Sequence, residues 1–278
     1  TLEAALVVGI VLGYLVRTGQ NEYKKSVYLG LGAGVAASVS GAFGFQLLAG
    51  GFSGRAEEIF EGITMLAGAV LLTTLIIWVI RKSAQTAELE RKVANRIEGT
   101  RRAGLFLLIF FAVLREGIES VIFLSAARFA SGENNLLGAG LGLAAAVVLG
   151  LLLFRGSLRI NLRSFFTVTN ILLILFAAGL VAGGVHELQE AGVIPIILEH
   201  LWDINPSTSG DSYPVLHENG LLGSIAKGLF GYNGNPSLIE VLSYLGYLIS
   251  VLSIWLLGRS GIGGRRTQER LNRREARA

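Results

Sequence analysis

Cysteine is absent from this chain of 278 residues, and methionine occurs once, as Met65. Disulfide bonds, thiolate metal sites and a thioether path for a soft ion such as Cu(I) are therefore excluded. Charged residues are also scarce, because Asp, Glu, Lys and Arg make up 16% of the sequence, against roughly 25% in soluble domains. So few charges cannot cover a surface that is exposed to water.

Long apolar runs take the place of the missing charges, and 52% of the residues are hydrophobic. Each run approaches the roughly 20 residues that cross a hydrocarbon core about 30 Å thick as a helix, whereas a β-barrel would show short alternating segments. The sequence therefore predicts an all-α polytopic membrane protein with about seven transmembrane helices. The predicted spans lie near residues 1–16, 27–49, 57–80, 104–127, 135–154, 164–190 and 238–257.

Basic residues indicate how these spans are oriented. Lys and Arg are concentrated in every second connection and in the tail 259–278, while each connection in between holds only one. The positive-inside rule then places the N-terminus outside and the C-terminus in the cytoplasm. We therefore expect a transmembrane domain, 1–258, in a plasma membrane such as the bacterial inner membrane, with an external loop at 191–237 that holds all four prolines. The net charge of +4 reflects this topology and implies no nucleic-acid partner.

The beginning of the chain lies within an apolar helical pattern and shows no cleavable signal peptide. The first span would reach only about 24 Å at 1.5 Å per residue, so we expect part of it to precede Thr1. A weak internal similarity relates Leu2–Val8 to Ile118–Leu124 and Phe60–Leu66 to Phe166–Leu172. It predicts an inverted repeat of three plus three helices, as in many secondary transporters, with one extra helix outside it.

Glutamates stand inside or at the ends of the predicted spans, where a carboxylate at the bilayer centre costs at least about 2.5 kcal/mol. Three pairs have i,i+3 spacing, which places both carboxylates on one helical face, about 5–6 Å apart at Cβ. Facing a shared cavity, such pairs offer oxygen ligands to a multivalent cation, as in carboxylate-bridged helix bundles. The pairs are Glu58 and Glu61, Glu116 and Glu119, and Glu187 and Glu190.

The positions of the candidate ligands divide them into two groups. An acidic cluster lies on the external side, where the third span begins and the sixth span ends, and a deep site lies within the first and fourth spans. The acidic cluster comprises Glu57, Glu58, Glu61, His186, Glu187 and Glu190, and the deep site comprises Glu3, Glu116 and Glu119. Together they predict an external vestibule that feeds a site inside the bilayer.

Ligand chemistry limits the cargo to a class of ions. Carboxylates without thiolates favour hard cations such as Fe(III), Mn, Mg or Ca over Cu(I) or Zn. A proton-coupled solute carrier is the alternative, although a proton relay needs only one or two carboxylates. An enzyme is not predicted, because His186-Glu187 lacks the second histidine of a zinc-protease motif. Open alternatives remain: helix capping by His186, a solvated helix start at Glu57, Glu58 and Glu61, and a solvated helix end at Glu187 and Glu190.

One stretch of the fourth span resembles a known family signature. Arg115-Glu116-Gly117-Ile118-Glu119 is similar to the Arg-Glu-x-x-Glu motif of the oxidase-coupled high-affinity iron permeases, the iron/lead transporter family. Leu2–Leu6 resembles the end of that family's first motif copy. Glu57–Gly62 resembles its acidic motif in the third helix, and His186–Glu190 resembles the end of the sixth helix in bacterial members.

The resemblance implies that the transported ion is iron, as Fe3+ or Fe2+, with no permanently bound cofactor. It also implies an external oxidase or iron-presenting protein as a partner, beside the lipid bilayer. Another hard or divalent cation, such as Mn or Pb, is the alternative cargo. Since one guanidinium cannot neutralise three carboxylates, we expect Arg115 to hold the empty deep site in place rather than to form a purely structural ion pair.

Overall fold

The computed structural model describes residues 2–82, 102–131, 144, 162–205, 213–214, 217–218 and 220–254. Within these ranges the chain forms seven α-helices and no β-strand, which confirms the all-α prediction. The helices are α1 (Leu2–Arg17), α2 (Lys24–Ala49), α3 (Arg55–Lys82), α4 (Arg102–Ser131), α5 (Leu162–Glu190), α6 (Leu221–Phe230) and α7 (Leu238–Ile254). The predicted span 135–154, apart from Ala144, and the tail 259–278 lie outside the described residues.

Several of these helices have the length and composition of membrane spans. Among the described residues, three stretches are long and apolar enough to cross a bilayer: Asn21–Ala49, Arg55–Ile77 and Thr167–Glu190. Helices α1 and α7 are apolar but shorter. Helix α4 has 30 residues, which is enough to cross, but its middle carries the charged motif Arg115–Glu119.

Small residues bring α2 and α4 into close contact. A Cβ atom added to Gly34 would lie 2.8 Å from Cβ of Val113, and the side chain of Ser38 lies directly against Gly117. Gly30 stands one turn earlier on the same face of α2 and is also buried. Because the contact positions increase together along both helices, α2 and α4 run parallel. Small side chains at such a spacing allow the close backbone approach that stabilises helix pairs in membranes.

Helices α3 and α5 cross at a pair of glycines. A Cβ on Gly62 would lie 2.9 Å from the carbonyl oxygen of Gly184 and 3.0 Å from Cγ of Leu188. A Cβ on Gly184 would lie 2.9 Å from the carbonyl oxygen of Gly62 and 3.0 Å from Cγ of Leu66. The two helices therefore run antiparallel, and the contact is reciprocal. A two-fold relation between equivalent helices of an inverted repeat would produce this reciprocity.

An apolar cluster continues this contact among α3, α4 and α5. Its buried members are Met65, Ala69, Leu72, Ala126, Ala177 and Leu180. Helix α7 joins the cluster through Tyr247, whose hydroxyl lies 2.8 Å from the hydroxyl of Thr73. Apolar side-chain packing therefore stabilises one side of the crossing of α3 and α5.

Part of the segment predicted as an external loop, 191–237, returns to the helix bundle. Helix α6 ends at Gly231, whose φ of 67° is the left-handed conformation typical of a helix C-cap. The backbone of Gly231 packs against Gly179 of α5, where an added Cβ would lie 2.7 Å from Cα of Gly231. Gly179 lies about 16 Å along the axis from the end of α5. The chain then turns back and enters α7.

Candidate metal-binding sites

Local backbone signals fix the two helix ends that form the acidic cluster. Helix α3 begins after Gly54, which has a φ of 56° and whose carbonyl oxygen accepts a hydrogen bond of 2.8 Å from the N–H of Glu57. Acidic side chains in a first helical turn interact favourably with the helix dipole. Helix α5 ends before Gly192, which has a φ of 66°. The start of α3 and the end of α5 are therefore well defined, and both carry glutamates of the acidic cluster.

The antiparallel crossing brings the two halves of the acidic cluster together. Cβ of Glu187 lies 3.3 Å from the position that a Cβ on Gly62 would take. The Glu187 carboxyl group interacts electrostatically with Glu61, Glu190 and Glu58. The two pairs are separated by more than a hundred residues in sequence, yet the structure places them at one end of the same helix pair.

Two further groups act on Glu61, which is half-buried. Glu57 is exposed on the preceding turn and interacts with it electrostatically. Arg128 of α4 also acts on the Glu61 carboxyl group. Sequence reasoning did not connect Arg128 to the cluster, because only the packing of α4 against α3 brings it near.

The carboxylates of the cluster face one another without surrounding a single point. In the described part of the chain, no group of three or more His, Asp or Glu side chains is arranged to hold a metal ion. An ion that arrived there would have to gather its ligands by side-chain movement. The geometry therefore brings candidate ligands together but does not by itself define a coordination site.

His186 links the cluster to a carboxylate that sequence reasoning missed. Its Nδ1 atom lies 3.1 Å from Oε1 of Glu240, and its Nε2 atom lies 3.3 Å from Oε1 of Glu190. Glu240 is 4% exposed. It forms a capping box with Ser237, because the Ser237 N–H donates to Oε1 at 2.9 Å and the Glu240 N–H donates to the Ser237 hydroxyl at 3.2 Å.

A sequence signal for Glu240 was present. The order Ser-x-x-Glu before an apolar run is the signature of a helix start, and residues 237–240 have it. The partner of Glu240 could not be read from that signature, because His186 lies on another helix.

The deep site contains an ion pair in the middle of α4. Nε of Arg115 donates a hydrogen bond of 2.9 Å to Oε1 of Glu119. Glu116 is half-buried, and its carbonyl oxygen accepts a bond of 2.8 Å from the hydroxyl of Ser120. Because Gly117 packs against Ser38 of α2, the motif lies at the same height along the bundle as Ser38. The ion pair of Arg115 and Glu119 therefore lies within one helix, with i,i+4 spacing.

The backbone position of Glu3 can be compared with this motif. Leu15, near the end of α1, and Leu105, near the start of α4, are buried in one apolar cluster. Glu3 lies about 21 Å from the end of α1, and Glu116 lies about 21 Å from the start of α4, measured along each helix axis. Ala4 is buried in an apolar cluster that α4 shares. The helix around Glu3 thus reaches the level of the motif.

Several long helices of apolar composition, three of which could cross a bilayer, are typical of a multi-pass membrane protein. The sequence matches the family described as the Iron permease FTR1 family over residues 1–257, and the chain belongs to that family. This confirms the family that the sequence resembles. Family membership makes the chain a membrane permease for iron and not an enzyme, and it supports a multi-pass protein of a bacterial inner membrane.

Individual relatives are similar over nearly the whole chain. Ferrous iron permease EfeU of Escherichia coli O6:H1 is 36% identical over 260 residues, covering 92% of this chain and 91% of the relative. The protein of the same name from Shigella sonnei has the same identity and coverage, 36%, 92% and 91%. That of Yersinia pestis is 35% identical over 263 residues, covering 92% and 89%. No solved structure matches the chain significantly.

Proposed function

We propose that this protein imports ferrous iron by way of the acidic cluster and then the deep site. The observation that carries the proposal is the meeting of two glutamate pairs from distant parts of the sequence. Glu58 and Glu61 begin α3, Glu187 and Glu190 end α5, and the Gly62 crossing brings them within electrostatic reach. Ionised carboxylates of two neighbouring pairs repel one another unless a cation joins them, so the arrangement favours a multivalent cation.

The deep site supports a second binding step. Glu116 and Glu119 lie on one face of α4, and the ion pair of Arg115 with Glu119 keeps this face compensated while no metal is bound. An arriving cation would displace the guanidinium from Glu119 and gain both carboxylates. Glu3 completes the set in the proposal, since its helix reaches the same level.

The identity and the direction of the ion follow from separate arguments. The relatives are named ferrous iron permeases, which supports Fe2+ as the cargo. The distribution of Lys and Arg supports an external N-terminus, so the acidic cluster would face outward and receive iron there. An external iron-presenting protein would deliver Fe2+ to this end, whereas an external oxidase would be the partner of Fe3+ transport. Iron is the substrate in this proposal, and no resident cofactor is required.

The decisive experiment is uptake of Fe2+ into proteoliposomes, followed by quenching of an internal fluorescent chelator. We expect the double variants Glu61→Gln/Glu187→Gln and Glu116→Gln/Glu119→Gln to lose at least about tenfold in uptake, equivalent to about 1.4 kcal/mol of binding. Glu22→Gln is the matched control, because it removes an exposed carboxylate far from both sites.

The same vesicles separate the alternatives. Uptake of Mn2+ or Pb2+ at the rate of Fe2+ would broaden the cargo to divalent cations in general. Proton flux without metal uptake would refute the permease mechanism and favour a carboxylate relay. Full Fe2+ uptake by the Glu61/Glu187 variant would remove the acidic cluster from the path.

A further inference from the structure

Glu240 is a buried carboxylate whose two oxygens both accept hydrogen bonds. Oε1 accepts from the Ser237 N–H at 2.9 Å and lies 3.1 Å from Nδ1 of His186, and Oε2 accepts from Nδ2 of Asn233 at 2.9 Å. Because an ionised carboxylate can only accept, the Nδ1 atom of His186 must be the donor in its bond. Nε2 is then the ring atom that faces Glu190, 3.3 Å from its Oε1, and this contact is an ion pair when the ring is also protonated on Nε2.

A helix cap alone does not require a charge at this position. Glutamine at the third position of a helix also completes a capping box, and a buried carboxylate costs several kcal/mol unless its partners compensate it. The donors from His186 and Asn233 lie outside the cap, on α5 and on the turn after α6. Glu240 therefore contacts His186 in addition to capping the helix start.

We propose that Glu240 is a positioning residue that orients His186 as a nitrogen ligand for iron in the acidic cluster. The proposal rests on the proposed function and adds a role to it. Histidines that bind metals usually donate their other ring N–H to a carboxylate or a carbonyl, which fixes the ring and increases its basicity. In this arrangement Nε2 of His186 and the carboxylate of Glu190 lie 3.3 Å apart and bind the same ion.

A nitrogen ligand changes which ions the cluster prefers. Oxygen-only ligands suit Ca2+ and Mg2+, whereas imidazole favours transition metals such as Fe2+. External Ca2+ and Mg2+ would otherwise compete for a site made of carboxylates alone. The pair formed by His186 and Glu240 thus supplies discrimination for iron at the first binding step.

Pulsed electron paramagnetic resonance with Mn2+ as the bound probe tests this directly on the full chain in nanodiscs. A coordinated imidazole gives nitrogen modulation of the Mn2+ spin echo. We expect this modulation in the wild type and in His200→Gln, a control in the exposed loop, and its loss in His186→Gln. Mn2+ bound by the wild type without nitrogen modulation would overturn the role of His186 and of Glu240 while leaving iron transport intact.

Uptake kinetics give the second readout. In Glu240→Gln we expect the KM for Fe2+ to increase about 10–100-fold, the usual cost of losing an outer-shell carboxylate, with little change in maximal rate. Ser237→Ala removes the hydroxyl of the same cap, and we expect it to lower thermal stability but to leave the KM unchanged. An unchanged KM in folded Glu240→Gln would refute the proposal. Absence of Fe2+ uptake by the wild type would instead refute the proposed function itself.

Discussion

Alanine at Gly62 provides a quantitative test of the helix crossing that assembles the acidic cluster. The added Cβ would lie 2.9 Å from the Gly184 carbonyl oxygen, whereas ordinary contacts begin at 3.4 Å. The backbone oxygen cannot rotate away, so α3 and α5 must separate by about 0.5 Å or more. Since Cβ of Glu187 lies 3.3 Å from the same position, the separation also moves Glu187 away from Glu61.

Two effects of opposite sign set the expected magnitude. Overpacking of a tight contact costs about 1–3 kcal/mol, while alanine gains up to about 1 kcal/mol over glycine in helix propensity. We therefore expect Gly62→Ala to lose about 1–2 kcal/mol of stability. Gly44→Ala in α2 is the matched control, because no atom of the described residues lies within 4 Å of its added Cβ. Only the gain in propensity applies there, so this variant should be as stable as the wild type or more so.

Thermal unfolding in detergent, together with Fe2+ uptake, would measure both consequences. Gly184→Ala should reproduce the effect of Gly62→Ala, because the contact is reciprocal. If Gly62→Ala were as stable as Gly44→Ala and transported iron at the full rate, the close crossing of α3 and α5 would be refuted as the element that positions the cluster.

Three further changes test other contacts. Gly117→Val should destabilise the protein by at least about 1–3 kcal/mol, because Ser38 already lies against Gly117; unchanged thermal unfolding would contradict the parallel packing of α2 on α4. Ser237→Ala should cost about 1 kcal/mol as a lost helix cap, and a scan that shows no shift would argue against the capping box. Arg102→Gln should cost less than about 1 kcal/mol, because its ion pair with Glu22 is exposed, so a large drop in melting temperature would contradict that surface assignment.

The pattern of apolar residues in the sequence is sufficient to predict the helices. Apolar runs must become helices in a bilayer, because every backbone polar group there needs an internal partner. Helix α3, Arg55–Lys82, covers the predicted span 57–80, and α5, Leu162–Glu190, covers 164–190. The i,i+3 spacing of the glutamates could likewise be read from the sequence, because it depends only on helical geometry within one span.

Contacts between distant helices could not be read in this way. Nothing in the local sequence relates Arg128 to Glu61, or His186 to Glu240, since each pair depends on how two helices pack. Proline and polar residues in 191–237 correctly indicated a break between spans, but they are equally compatible with a loop at the surface. The return of α6 to Gly179 depends on the close approach of two glycines, which leaves no periodic pattern in the sequence.

A permease must bind its ion firmly enough to capture it and weakly enough to release it. The glutamates of the acidic cluster face one another, but within the described residues they do not surround a common metal position. Movement of the side chains toward an ion costs free energy and lowers the affinity below that of a preformed cage. In the proposed path, the contacts of Arg115 with Glu119 and of Glu240 with His186 would reduce this cost at single positions. Such partial preorganisation would give selectivity without the tight binding that would stop transport.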